Sequence, residues 1–398
     1  MDIHLPEEIV MDTLSRLPVQ SLLRFKCVSK SWKKLIVEPY FTRKHLKNNQ
    51  NSQKFLSCRR FLDPEDGVVS YYCSSLSSIQ LIDDPEDGVV SNYCSSLSSI
   101  QLIDDPEDGV VSYCCSSLSS IQLIESVQKL DYPSDFKPWH VKIYYCFDGL
   151  SIMGVSNYNE RDIIFFLWNP FTRESVLLPN PKSPPKRNFV CGMGYDSTTN
   201  DYKVLKIGLD GNYDCNVSIE LLSLKKGSWS KIDEYSSGIF YLFNGRSCLA
   251  FVHGAFHWLG FSKKNFMISF NISNEVYGEI PLSEQMDLRA SNLMFDVSVL
   301  EGMLCVFSND IYRWGHFILW QMKDYGVEAS WINLITVQCS GYISTISKKG
   351  EVLLCCIDGE SWIVFMTSNG QVGLWPQRCM TMGGFISTEN LISPKLLV

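Results

Sequence analysis

Five times between residues 166 and 370 a short run of bulky apolar residues ends in a polar turn, at nearly constant spacing. Phe166-Leu167-Trp168 precedes Asn169-Pro170-Phe171-Thr172-Arg173, and Leu221-Leu222-Ser223-Leu224 precedes Lys225-Lys226-Gly227. Ile268-Ser269-Phe270, Ile318-Leu319-Trp320 and Val364-Phe365-Met366 behave alike. Measured at Trp168, Leu222, Phe270, Trp320 and Phe365, the steps are 54, 48, 50 and 45 residues. Short β-prone runs bounded by Gly, Pro, Asn and Asp read as strands, and a multi-strand unit repeating near 50 residues has the period of a propeller blade. Five units fit between residues 140 and 377. The C-terminal strands and residues 54–130 can complete a sixth, closing the ring and hiding its edges. About six blades are therefore expected.

The N-terminus obeys another period. Pro6, Glu7 and Glu8 suit the first turn of a helix, where a missing N–H costs nothing and carboxylates meet the positive end of the dipole. Ile9, Val10, Leu14 and Leu17 share one helical face, and Pro18 is expected to stop that helix. Val28, Trp32, Leu35 and Ile36 mark a further amphipathic helix with Ser29 as its N-cap and Pro39 just past its end. A bundle of about 40 residues cannot bury all of these apolar side chains by itself. Some of them are expected to dock on a partner.

Charge and composition narrow the function. The first 50 residues carry nine Lys/Arg against five Asp/Glu, whereas the whole chain is at −8, so the remainder is acidic at −12. An acidic body argues against a nucleic-acid surface, which needs clustered Lys and Arg. No apolar run approaches the roughly 18 residues needed to cross a bilayer, and the acidic N-terminus does not read as a signal peptide. The 15 Cys are scattered without a C-x-x-C spacing, as expected for reduced thiols of the cytoplasm or nucleus.

Between the two regions a 21-residue segment is written three times, from Asp63, Asp84 and Asp105. Each copy holds a turn signal, Asp-Pro-Glu-Asp-Gly, followed by two short β-prone runs. One copy is expected in the sheet system and the other 42 residues as an inserted, mobile excursion.

Catalytic patterns are missing from the sequence. His253 and His257 have a metal-like spacing, but Phe251 to Trp258 reads as a hairpin and no Glu stands between them as a zinc-peptidase motif needs. Cys355 and Cys356 are adjacent and point to opposite faces of a strand. There is no Gly-x-Ser-x-Gly, P-loop or dinucleotide fingerprint. No catalytic residue, metal or cofactor is expected. Trp229, Tyr241, Trp258, Tyr312, Trp314 and Trp331 read first as strand-packing aromatics and second as a recognition face.

Residues 3 to 45, with the Leu5-Pro6-Glu7-Glu8-Ile9 opening, the stretch from Leu14 to Trp32 and the trailing Pro39-Tyr40-Phe41, resemble an F-box. That resemblance implies binding to a Skp-type adaptor, and through it to cullin and RING subunits of a ubiquitin ligase. It points to Leu5, Pro6, Ile9, Leu14, Leu17, Pro18, Leu22, Phe25, Val28 and Trp32 as adaptor-binding residues. A second resemblance covers most of 140–340. Trp168-Asn169-Pro170-Phe171-Thr172-Arg173, Gly194-Tyr195-Asp196, Gly254-Ala255-Phe256-His257-Trp258 and Leu300-Glu301-Gly302 are similar to the kelch-like F-box-associated domain of plant F-box proteins, in the S-locus-F-box-like group. Locally, the Asn-Pro pair suits a β-turn, and the Gly-Tyr-Asp and Glu-Gly pairs suit hairpins needing positive φ.

The expected whole is an α+β multidomain protein, a small three-helix F-box followed by an all-β, kelch-like propeller. Residues 1–46 are the F-box, 47–62 linker and first strand, 63–125 the triplicated segment, and 126–398 the associated domain. The function implied is a non-catalytic substrate receptor of an SCF-type ligase, with an unknown target protein and no nucleic-acid or membrane partner. Two alternatives stay open: an F-box scaffold acting outside a ligase, and a propeller enzyme with a site in the central channel.

Overall fold

A computed structural model describes residues 6–49, 53–58, 68–75, 80–81, 126–129, 140–157, 162–183, 189–210, 216–233, 235, 239–240, 249–261, 265–286, 293–310, 316–338, 342–346, 351–355, 362–366, 372–375 and 385–398. Four short helices open the chain: α1 (Glu7–Leu14), α2 (Val19–Phe25), α3 (Lys30–Val37) and α4 (Pro39–Asn48). Ser29 caps α3 as expected, its Oγ accepting from Ser31 N–H at 3.2 Å. Two prolines play the opposite part to the one expected. Pro18 is the N-cap of α2, and Pro39 opens a fourth helix, mostly inside residues 1–46, where a three-helix unit was expected. Both positions tolerate proline because the first N–H groups of a helix have no partner anyway.

The strands follow. β1 (Gln53–Cys58), β2 (Val68–Ser75), β3 (Gln80–Leu81) and β4 (Ser126–Lys129) come first. β5 (His140–Phe147), β6 (Leu150–Ser156), β7 (Ile163–Asn169) and β8 (Glu174–Leu177) form one antiparallel blade. β9 (Phe189–Asp196), β10 (Asp201–Asp210), β11 (Asn216–Ser223) and β12 (Ser228–Ile232) form the next. The third holds β13 (Ile239–Phe240), β14 (Ala250–Val252), β15 (Ala255–Phe261), β16 (Asn265–Asn271) and β17 (Val276–Pro281). The fourth holds β18 (Leu293–Leu300), β19 (Met303–Asp310), β20 (His316–Met322) and β21 (Trp331–Gln338).

Four blades are thus built from consecutive strands, where about six were expected. The other two sheets among the described residues are composites. β22 (Tyr342–Ile346), β23 (Glu351–Cys355), β24 (Trp362–Met366) and β25 (Val372–Trp375) take β3 as a fifth member, and β26 (Phe385–Thr388) joins β1, β2 and β4. The β26-β1-β2-β4 sheet is the expected pairing of the C-terminal strands with residues 54–130; β3 joining β25 is the pairing that the spacing did not reveal. The inner strands touch in sequence: β5 against β9, β9 against β14, β14 against β18, β18 against β22, β22 against β26 and β26 against β5.

The five spacing markers Trp168, Leu222, Phe270, Trp320 and Phe365 all lie on the third strand of their sheets. Apolar cores sit between neighbouring blades, not within them. β6 and β7 are buried along their whole length, as strands covered on both faces must be. Trp229 and Trp331 repeat one device: each indole N–H donates to the carbonyl of the proline closing the preceding blade, Pro179 at 2.8 Å and Pro281 at 3.0 Å. Together with Trp258, fully enclosed, they are packing residues. Tyr241, Tyr312, Trp314, Cys356 and the second and third copies of the repeat lie outside the described residues. Of the first copy, β2 and β3 enter two different sheets.

Hairpin ends carry left-handed residues at the expected Glu301-Gly302 and also at Asp148-Gly149 and His253-Gly254. Gly194 does not. It lies inside β9, where an added Cβ would come within 2.3 Å of the Phe251 ring. The glycine there makes room for an aromatic side chain, and the positive φ of that hairpin falls on Asn200.

Candidate adaptor-docking surface

The helices form one apolar cluster from Leu14, Val19, Leu22, Leu35, Ile36 and Phe41. Two propeller-side residues complete it, Leu391 and Phe171. This decides where each expected contact residue stands. Leu14 and Leu22, 4% and 0% exposed, belong to that internal core rather than to a free surface. The small bundle satisfies part of its surplus by packing on its own β domain. Leu17, Phe25 and Trp32 pack against the same cluster but are only half-buried. The Phe25 and Trp32 rings meet edge to face at 5.4 Å. Pro6, Ile9, Pro18 and Val28 are exposed, with Ile9 at 53% and Val28 at 70%. Leu5 lies outside the described residues. Tyr40, 66% exposed, joins this open set and was not anticipated. Its neighbour Phe41 is sealed; both sit in the α4 helix that the sequence had not suggested.

Electrostatics stiffen the helical module. Asp12 bridges Arg16 and Lys44, each at 3.1 Å, and the Lys44 hydrogen bond leads in holding its carboxyl below the usual range. His45 is buried, and its Nε2 donates to the Leu17 carbonyl at 2.9 Å, since a carbonyl can only accept. Burial depresses its pKa, with that carbonyl acting the other way.

The seam to the propeller is built by the Asn169-Pro170-Phe171 turn. Asn169 Oδ1 accepts from the Phe171 and Thr172 N–H groups at 2.9 and 3.2 Å, the turn chemistry expected of it. Its Nδ2 does more, donating to Asn390 Oδ1 and to the Ile392 carbonyl, both at 2.8 Å. Phe171 reaches both the helical cluster and the core between the first blade and the sheet of β1 and β26. Sequence reasoning found the turn but not its second use, because the partner lies 221 residues away. Polar groups rim the contact: Arg43 Nη2 donates to Asn200 Oδ1 at 2.5 Å, and Glu174 opposes the burial that lowers the Lys26 pKa.

Away from this surface the suspected histidine pair has a structural partner. His257 Nδ1 donates to the Ala250 carbonyl at 3.3 Å, so Nε2 accepts from the Tyr325 hydroxyl at 2.7 Å. The His253 ring packs on Tyr325 at 4.7 Å. Among the described residues no three metal-ligating side chains converge.

Comparison with known proteins agrees with this layout. The F-box domain family matches residues 3–44, and the F-box associated beta propeller domain family matches residues 95–374. The F-box protein CPR1 of Arabidopsis thaliana is 27% identical over 360 residues, covering 84% of this chain and 73% of that protein. The F-box protein At4g22390 of the same plant is 26% identical over 301 residues, covering 69% of this chain and 71% of its own. Among solved structures, TolB from Acinetobacter baumannii aligns over 88% of this chain and 73% of its own, with 7% identity and a TM-score of 0.47. The chain is therefore a member of the plant F-box proteins that carry an F-box-associated β-propeller domain.

Proposed function

We propose that the chain is the substrate-recognition subunit of an SCF-type cullin–RING ubiquitin ligase. The F-box holds a Skp-type adaptor, which joins it to cullin and RING subunits in the cytoplasm or nucleus, and the propeller holds a target protein. The two composite sheets are read as the fifth and sixth blades of a closed ring. One observation carries this reading: Ile9 on α1 and Val28 in the turn between α2 and α3 stay open to solvent, as does Tyr40 on α4, while Leu14, Val19, Leu22, Leu35, Ile36 and Phe41 have found an internal core. Each such side chain is worth roughly 1.5–3 kcal/mol when a partner covers it, and a few central anchors dominate an interface.

Catalysis then requires no nucleophile in this chain. Holding the target beside a ubiquitin-charged enzyme raises the effective concentration of its lysines. Across the inner strands, Phe147 of β5 and Phe251 of β14, from blades one and three, meet at 5.3 Å.

The test is reconstitution with purified Skp-type adaptor, cullin, RING protein and charged conjugating enzyme. The wild-type chain is expected to co-purify with the adaptor and to acquire ubiquitin. Ile9→Asp with Val28→Asp is expected to lose both by about 100-fold or more, while propeller melting is unchanged. Retained capture by the double variant contradicts the interface, and wild-type capture without conjugation assigns the chain to an adaptor complex lacking a cullin.

A further inference from the structure

The chain leaves the F-box and enters the propeller through β1, whose first residue, Gln53, is paired with Thr388 at the end of β26. Only residues 50–52 separate that strand from the described end of the F-box at Asn49. A single covalent tether of this kind would leave the helices free to swivel. The C-terminal segment supplies a second point of attachment beside the first.

Two residues past β26, Asn390 is fully enclosed. It accepts from Asn169 Nδ2 at 2.8 Å and from the Ile392 N–H at 2.7 Å, and its own Nδ2 donates to the Asp148 carbonyl at 2.7 Å. Leu391 then turns the other way and is buried, 3% exposed, in the F-box cluster. Ile392 and Leu397 return to the core between the first two blades. The tail therefore grips the propeller on both sides of one leucine and offers that leucine to the helices. Gly149 is cut to fit it. At φ +75° any added Cβ would fall 1.9 Å from the Thr388 carbonyl oxygen and 2.0 Å from Asn390 Nδ2.

We infer that residues 388–392 are a strap that fixes the F-box at one orientation on the propeller, with Leu391 as its key and Asn390, Asn169 and Gly149 as its seat. These are positioning residues: Leu391 joins the F-box core, and the other three belong to the propeller and not to the exposed set of Ile9 and Val28. The inference rests on the seam alone and stands whether or not a cullin is recruited. Within the ligase reading it adds that the strap sets which side of a bound target faces the charged enzyme.

The experiment is a pulsed dipolar distance measurement on the full chain bound to Skp-type adaptor, with spin labels on unnatural amino acids at Lys33 in α3 and Lys226 in the second blade. The wild type is expected to give one narrow distance. Leu391→Ala, working from the helical side, and Gly149→Ala, working from the propeller side, are each expected to broaden the distribution at least twofold, while Leu391→Met restores it. Adaptor capture reports that the F-box is folded in each sample. Should Leu391→Ala lose capture, Gly149→Ala carries the test alone, because it leaves every F-box core side chain in place. A narrow, unchanged distribution in Gly149→Ala with its adaptor bound overturns the strap.

Discussion

His257 illustrates at the scale of one side chain how spacing misleads. Its distance in sequence from His253 fits a metal pair, yet the two rings share Tyr325, and His257 ties the loop after β20 to β15. Burial is the main cause that brings its pKa down to about 4. The unfolded chain would take up that proton near the ordinary value of about 6.5, so it binds more protons than the fold between those limits. Stability is complete above pH 6.5 and declines as pH falls toward 4. His45, also depressed by burial, acts with the same sign. His257→Gln is expected to flatten the fall in melting temperature over this window and leave the His45 part in place. An unchanged slope in a pH series of thermal melts would show that His257 titrates normally. Tyr325→Phe removes the hydroxyl donor and is expected to cost about 1–3 kcal/mol in denaturant unfolding.

At the scale of elements, what could be read in advance was whatever repeats locally. The third strand of every blade announced itself by a bulky apolar run before a turn, and Ser29 announced α3. The pairing of the C-terminal strands with residues 54–130 was also expected and is met by β26 with β1, whereas β25 with β3 was not, because nothing in the spacing marks a two-residue strand from the far end of the chain. α4 stayed hidden because a proline reads equally as a stop and as a first turn. The triplicated segment was half legible. Its first copy supplies β2 and β3, and 44 residues separate β3 from β4. Deleting residues 84–104 nearly halves that connection and removes neither strand. Halving a loop relieves closure entropy by about 0.6 kcal/mol, so the shortened chain is expected to melt at the same temperature or slightly higher. Loss of the cooperative transition would mean that the second copy holds part of the sheet.

Across the whole molecule, the F-box and the propeller are one packing problem with two outcomes. The helices were expected to present more apolar surface than they could hide. The β domain takes Leu14 and Leu22 into a shared core through Leu391 and Phe171, while Ile9 and Val28 stay uncovered. That division could not be read from the helices alone, because the covering residues come from a turn near residue 170 and from the C-terminus. What remains exposed is the surface that the proposed function assigns to the adaptor. The most direct test is titration calorimetry of the purified full chain with a purified Skp-type adaptor. The account predicts a one-to-one complex that Val28→Asp weakens at least about tenfold, whereas Leu396→Asp, equally exposed at 72% but on the tail, leaves it unchanged. Equal affinities for wild type and Val28→Asp would contradict it.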